Sequence, residues 1–254
     1  MKGVHRMGLG GRSGSVAVLA GIVIAVMIGL ITGPAAAEDL KGSLAQMPVY
    51  AESPKKGVLV DLVKAMVQAS GKDITFQVVP FNRSMHDVAD GKVDFHMPLI
   101  KPENLDEAAL DYAYSTETIF HVNFILYTNK NKPVDKNKLS EYSIETDLAH
   151  VNYFDFPIKG SAKLDSSLKK VDAGRIDGFI FADFASDPIV KKEQLNNLRR
   201  ELYHTFDVKI VLPKGEKGKA TDHFLTQTIT AMRADGSFDR IMSPIDQPYD
   251  DWQP

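Results

Sequence analysis

Val88-Ala-Asp-Gly91-Lys-Val-Asp94 and Val171-Asp-Ala-Gly174-Arg-Ile-Asp177 are two copies of one seven-residue pattern, 83 positions apart. Each copy carries a helical segment into a Gly, then a basic residue, a β-branched residue and an Asp. An apolar run follows both times, Phe95-His-Met-Pro-Leu-Ile100 in the first and Gly178-Phe-Ile-Phe-Ala182 in the second. A Gly just past a helix adopts the left-handed conformation with no Cβ penalty, and a short apolar run behind it has the length and composition of a strand covered on both faces. The pattern reads twice as helix, Gly cap, buried strand. Either this is coincidence, since such a turn is an ordinary helix-to-strand connection, or the chain holds two similar α/β lobes. On the two-lobe reading the strands ending near Ile100 and Ala182 belong to different sheets and point into one cleft, because ligands of open parallel sheets sit beyond the carboxyl ends of the strands.

The N-terminus carries Lys2, Arg6 and Arg12, an uncharged apolar run from Val16 to Ile31, and then Gly33-Pro34-Ala35-Ala36-Ala37. This is the pattern of a cleavable secretory signal over residues 1–37, which predicts a periplasmic protein. An uncleaved anchor is the alternative, although 16 apolar residues fall short of the ~20 that span a bilayer. Cleavage would remove three basic residues and no acid, leaving 27 Lys+Arg against 33 Asp+Glu, a formal charge of −6. That balance gives no footprint for nucleic acid or an anionic membrane. With no Cys in the chain, an exported protein of this size rests on its apolar cores alone.

Along the remaining chain, Ser43 to Tyr50 reads as a first strand. A helix follows with Val60, Leu62, Val63, Met66 and Val67 on one stripe, stopping at Ser70-Gly71. Ile74 to Val79 is a strand and Arg83 to Asp90 a helix. His121 to Tyr127 is an apolar strand that runs into the polar Thr128-Asn-Lys-Asn-Lys-Pro133, a first crossing between lobes. Tyr142 to Thr146 opens the second lobe, and a helix from about Ser161 to Asp172 delivers the second copy of the pattern. Phe206 to Leu212 is a strand that returns to the first lobe, followed by a helix from Ala220 to Ala234. Two crossings make a two-strand hinge.

In this order, Gly57-Val-Leu-Val-Asp61-Leu, Val79-Pro-Phe81-Asn-Arg83, Gly91-Lys-Val-Asp94, Asp111-Tyr-Ala-Tyr-Ser115, Gly174-Arg-Ile-Asp177, Val211-Leu-Pro-Lys-Gly215 and Asp235-Gly-Ser-Phe-Asp-Arg-Ile241 resemble the type 2 periplasmic solute-binding proteins, family 3 of the extracellular receptors of ABC importers. The resemblance implies two α/β lobes joined by two strands, a discontinuous first lobe (residues 38–127 plus 206–254), a second lobe (residues 128–205), and a small polar ligand held in the cleft by a monomer that closes around it. It also implies site residues. In amino-acid-binding members a Thr-x-x-x-x-Arg pattern follows the first-lobe strand and clamps the ligand carboxylate; here those positions carry Lys101 and Asp106. A carboxylate cannot replace a guanidinium fork, so common α-amino acids are expected to bind weakly or not at all.

Phe81 matches the family's stacking aromatic, while Tyr50 and Glu52 close the first strand where relatives present an aromatic and a carboxylate. Arg83 opens a helix against the helix dipole, which suits either a ligand anion or an ion pair with Asp87. Lys101 is either a point charge for the ligand or a solvated loop residue. Thr146 and Asp147 end a second-lobe strand. Asp183 stands near the ammonium-pairing Asp of relatives, and reads equally as a helix N-cap.

The six His beyond the expected signal segment, at 86, 96, 121, 150, 204 and 223, show no metal-ligand spacing, and no nucleophile elbow, Walker loop or dinucleotide fingerprint occurs. The expectation is a binding protein with no cofactor and no catalytic role, serving an ABC permease. The alternative is an accessory or sensory protein that uses the same fold as an interaction module for a periplasmic redox enzyme or receptor.

Overall fold

The structure is a computed structural model and describes residues 39–254; the expected signal segment lies outside the described residues. Both copies of the repeated pattern do the same structural work. Helix α2 (Phe81–Ala89) is followed by Gly91 at φ 69°, and helix α3 (Leu164–Asp172) by Gly174 at φ 62°. The Gly91 N–H donates to the Val88 carbonyl at 3.0 Å, and that of Gly174 to Val171 at 2.9 Å. The Asp that closes each copy then clasps the start of a neighbouring strand. Asp94 accepts from the Lys41 N–H at 2.6 Å and returns its own N–H to the Lys41 carbonyl at 2.7 Å. Asp177 does the same with Ser143, at 2.8 and 3.0 Å. Because both glycines sit at positive φ, Gly91→Ala and Gly174→Ala are each expected to cost about 1–2 kcal/mol. Equal losses in urea unfolding would fit equivalent roles; no loss at either site would not.

The strands are β1 (Leu40–Ala45), β2 (Ile74–Val79), β3 (Phe95–Lys101), β4 (Tyr112–Asn129), β5 (Ile144–Asp147), β6 (Lys159–Ser161), β7 (Gly178–Ala182) and β8 (Leu198–Pro213). Their spatial order is β2-β1-β3-β8-β4-β7-β5-β6, one hydrogen-bonded sheet of eight strands. This corrects the expectation that β3 and β7 lie in different sheets. The cause is the length of β4 and β8, 18 and 16 residues, which pair from one end to the other and carry the ladder through both lobes.

The two-lobed arrangement is built on that ribbon. β3 pairs with the half of β8 near Val208, and β7 with the half of β4 near Leu126. Their carboxyl ends approach head to head. Lys101 pairs with Asp207, while Ala182 pairs with Phe124, which itself faces His204. Three strand steps along β8, from His204 to Asp207, separate the two ends, about 10 Å at strand rise. The register slips between Phe124 and Ile125 opposite Tyr203, a bulge that bends and twists the ribbon between the lobes.

Helix α1 (Val58–Ser70) buries Leu59, Val60, Leu62, Val63 and Met66, each such side chain contributing about 1.5–3 kcal/mol, and stops at the left-handed Gly71. Helices α5 (Glu216–Ala234) and α6 (Ser237–Met242) return to pack on α1. Helix α4 (Asp183–Lys192) follows β7 without a loop. The chain then continues past α6 over the ribbon. Asp246 accepts from the His121 N–H at 3.0 Å, the Gln247 carbonyl from Asn123 Nδ2 at 3.1 Å, and the Trp252 carbonyl from Arg200 Nη1 at 2.6 Å. The tail thus runs along the ribbon and ends against Arg200 of β8 and Asp187 of α4.

Candidate functional site

A cavity of about 410 Å³ fills the gap between the ends of β3 and β7. The first lobe lines it with Met47, Tyr50, Phe81, Pro98, Leu99 and Ile100. The ribbon adds Phe120, Val122, Phe124 and Val208. The second lobe adds Ala149, His150, Tyr153, Phe181, Ala182 and Phe184. The aromatic rings touch in two groups: Tyr50 stacks on Phe120 with centroids 5.4 Å apart and meets the edge of Phe184 at 5.8 Å, and Phe124 meets Phe181 at 5.4 Å and Phe206 at 4.8 Å. Edge and offset contacts of this kind contribute about 0.5–1.5 kcal/mol each beyond their buried area. Phe81 and Phe184, on opposite lobes, are among the few exposed large apolar side chains.

The polar groups at this cavity are held in place. His150 Nδ1 lies 2.8 Å from Asp147 Oδ1, and the same oxygen accepts from the Ala149 N–H at 3.0 Å, so Asp147 orients the turn that carries both lining residues. Asp183 opens α4 between Ala182 and Phe184. Its carboxylate accepts from Asn123 Nδ2 at 3.1 Å and from the Phe184 N–H at 2.7 Å. Burial raises the Asp183 carboxyl above the usual range, against the pull of those two donors. Burial also raises the Tyr50 phenol, and the nearby Asp183 charge adds to it. Burial pushes Tyr153 up to about 12.

Of the eight residues singled out in the sequence, Tyr50 and Phe81 line the cavity, and Asp147 and Asp183 support its second-lobe wall. Four are engaged elsewhere. Glu52 turns to solvent and pairs with Lys56 at 2.6 Å. Arg83 approaches Asp87 at 3.7 Å, the ion-pair alternative, and borders a separate groove with Lys41 and Lys92. Lys101 is bound by Glu107 at 2.5 Å and does not line the cavity. Thr146 is buried, its hydroxyl donating to the Ile180 carbonyl at 2.7 Å. The N-cap alternative for Asp183 is also adjusted: Ala182 is the cap and Asp183 the first helical residue.

Sequence reasoning missed Phe120, Phe124, Tyr153, Phe181 and Phe184, which are five of the cavity's sixteen lining residues. The strand alternation of Phe120, Val122 and Phe124 was a signal for a common face, and the Phe-Ala-Asp-Phe step from β7 into α4 another. The wall is apolar, in contrast to the small polar ligand expected, because the charged candidates are paired off outside it. A second, smaller pocket of about 210 Å³ abuts it through Tyr153 and is lined by Glu103, Asp155, Tyr203 and His204.

No protein-family model matches the chain, and no curated protein matches it. Solved structures do. A histidine kinase sensor domain with similarity to periplasmic binding proteins superposes with a TM-score of 0.56 at 16% identity, over 82% of this chain and 95% of that one. The arginine-, lysine-, histidine-binding protein ArtJ from Geobacillus stearothermophilus gives 0.55 at 16%, over 82% and 94%. The GluR0 ligand-binding core from Nostoc punctiforme in complex with (L)-glutamate gives 0.56 at 12%, over 82% and 100%. The fold is therefore the two-lobed, type 2 periplasmic-binding-protein-like fold.

Proposed function

We propose that this chain is a secreted binding protein that holds a small molecule between its lobes and presents it to an ABC importer. The observation that carries the reading is the cavity between the ends of β3 and β7, walled by both lobes and by the ribbon that joins them. Pockets of roughly 300–1,000 Å³ with mainly apolar walls and few polar groups are the usual form of small-molecule sites. Because the wall is split between lobes, ligand contact with both sides favours the closed form, a change that a permease can read. The proposal includes a signal segment at residues 1–37, a first lobe of residues 38–127 plus 206–254, and a second of residues 128–205. The sensory or accessory alternative draws support from the similarity to a histidine kinase sensor domain. Permease and ATPase genes beside this one would favour import; a kinase or redox enzyme gene would favour the alternative.

Native mass spectrometry of protein purified from its source organism tests the reading by looking for a retained molecule. Two variants then locate it. Phe81 is partly exposed at the cavity, so Phe81→Ala is expected to cost tenfold or more in affinity for that molecule, about 1.4 kcal/mol, while melting within a few degrees of the parent. Arg83→Ala, outside the cavity, is expected to leave affinity unchanged. Equal losses in both variants would move the site toward the Arg83 groove.

A further inference from the structure

Resting on the reading of this cavity as the ligand site, we propose that its ligand is an uncharged, mainly apolar ring compound, and that the site turns away charge of either sign. Three observations converge on that class. The first is the wall. Among the described residues no Lys, Arg, Asp or Glu lines the cavity, while the rings of Tyr50, Phe120, Phe124 and Phe181 do. Its hydroxyl and imidazole groups, on Tyr50, Tyr153 and His150, bring no net charge. Burial keeps both phenols protonated. Asp147 lies against His150 Nδ1, so a proton gained by that ring makes a neutral pair and no free cation.

The second is where the neighbouring charges go. Lys101, the last residue of β3, is held by Glu107, and Asp183, the residue after Ala182, is bonded to Asn123 and to the Phe184 N–H. Neither lines the cavity. A ligand carboxylate or ammonium would therefore lose its water there with no opposite charge to meet it, which is costly. Aromatic faces attract cations, but that attraction recovers only part of the hydration a primary ammonium gives up. A hydroxyl or carbonyl loses far less on burial, and a phenol or imidazole is a sufficient partner for it.

The third is the mouth. Among the described residues, four large apolar side chains are exposed: Val49, Phe81, Leu148 and Phe184. Phe81 and Phe184 line the cavity from opposite lobes, and Val49 and Leu148 directly precede the lining residues Tyr50 and Ala149. Exposed apolar surface that is gathered at one place marks a binding surface for apolar matter. Val49 also sits at φ 70°, a left-handed conformation that a β-branched residue rarely adopts, and backbone strain of this kind clusters at ligand sites.

Isothermal titration calorimetry tests this with four probes of one aromatic body, phenethyl alcohol, phenethylamine, phenylacetate and phenylalanine, and with the larger alcohol naphthylethanol. Phenethyl alcohol is expected to bind at least tenfold tighter than each charged probe, and naphthylethanol tighter still, both with a negative heat-capacity change. Phe184→Ala, which trims an exposed ring of the wall, is expected to weaken both alcohols about tenfold. A charged probe that binds as tightly as the alcohol, and is weakened by Phe184→Ala, would overturn the ligand class yet leave the cavity as the site. Alcohols that bind Phe81→Ala and Phe184→Ala as tightly as the parent would be held elsewhere, and the reading of the cavity would fall together with the class. No measurable binding of either alcohol would overturn the class; the reading of the cavity would then stand or fall on the molecule retained in native mass spectrometry.

Discussion

Replacing Arg200 by Ala should destabilise the protein by about 3–5 kcal/mol, the usual cost of stripping one partner from a buried ion pair. The Arg200 side chain is 1% exposed. Its Nε and Nη2 donate to the two oxygens of Asp187, at 2.8 and 2.6 Å, in the parallel geometry that only a guanidinium provides. Its Nη1 donates to the carbonyls of Asp250 and Trp252, at 2.9 and 2.6 Å, and its plane lies 4.4 Å from the Trp252 ring. Asp187 also accepts from the Tyr127 hydroxyl at 2.6 Å. Ala would leave that carboxylate buried with a hydroxyl and an indole N–H as partners, and would release the tail from the second lobe. Urea denaturation reads the loss, and a change below 1 kcal/mol would show that the cluster is dispensable. The pair Asp187→Leu with Arg200→Met should recover much of the stability, since matched apolar residues remove both charges together.

That clasp marks where the sequence stops being legible. The repeated Gly-basic-aliphatic-Asp step could be read because its geometry is local: a left-handed Gly, a strand start and one carboxylate reaching the next strand need only a few consecutive residues. The hinge strands were legible in part. His121–Tyr127 and Phe206–Leu212 have the apolar density of buried strands, but their extensions, Tyr112–Phe120 and Leu198–Thr205, mix charged and aromatic residues. They are strands because each pairs with the apolar half of the other, Tyr112–Phe120 with Val208–Pro213 and Leu198–Thr205 with Asn123–Asn129, a nonlocal fact that no single segment carries. The tail reads as a polar terminus with one Trp, and only the arrival of Arg200 from β8 makes it structural.

The site was less legible than the fold for the same reason. Arg83, Lys101 and Glu52 drew attention as charges near strand ends, yet each has a partner within one or two turns of chain that claims it. Beyond Tyr50 and Phe81 the aromatic residues drew none, because a Phe on a buried strand looks alike whether it faces a core or a cavity. What separates the two is whether another element fills the space opposite. Here the ends of β3 and β7 stop about three residues apart on β8 and leave it open, so Phe120, Phe124 and Phe181 face a cavity instead of each other's helices.

Lowering the pH from 6.5 to 4 should remove up to about 3 kcal/mol of stability through one residue, His96. His96 is fully buried in β3, with Nδ1 2.5 Å from the Ser84 hydroxyl, which in turn donates to Ser43 at 2.7 Å, and with Nε2 lacking any partner among the described residues. Burial drives its pKa down from 6.5 to about 4, only partly offset by the Pro98 backbone. The folded state therefore keeps His96 neutral at a pH where the unfolded chain has already bound a proton. With more protons on the unfolded side, stability rises with pH: the full contribution is present above 6.5, erodes as pH falls, and levels off below about 4. A neutral variant, His96→Gln, removes this titration while other carboxyls continue to titrate in both proteins, so the difference between the two stability curves isolates it. The parent should lose ground to the variant by up to about 1.4 kcal/mol per pH unit across that window. A difference that stays flat from pH 7 to pH 4 would mean that His96 is reached by water or finds a partner for its Nε2, and that Phe81, whose ring meets its edge at 5.5 Å, does not seal it from the cavity.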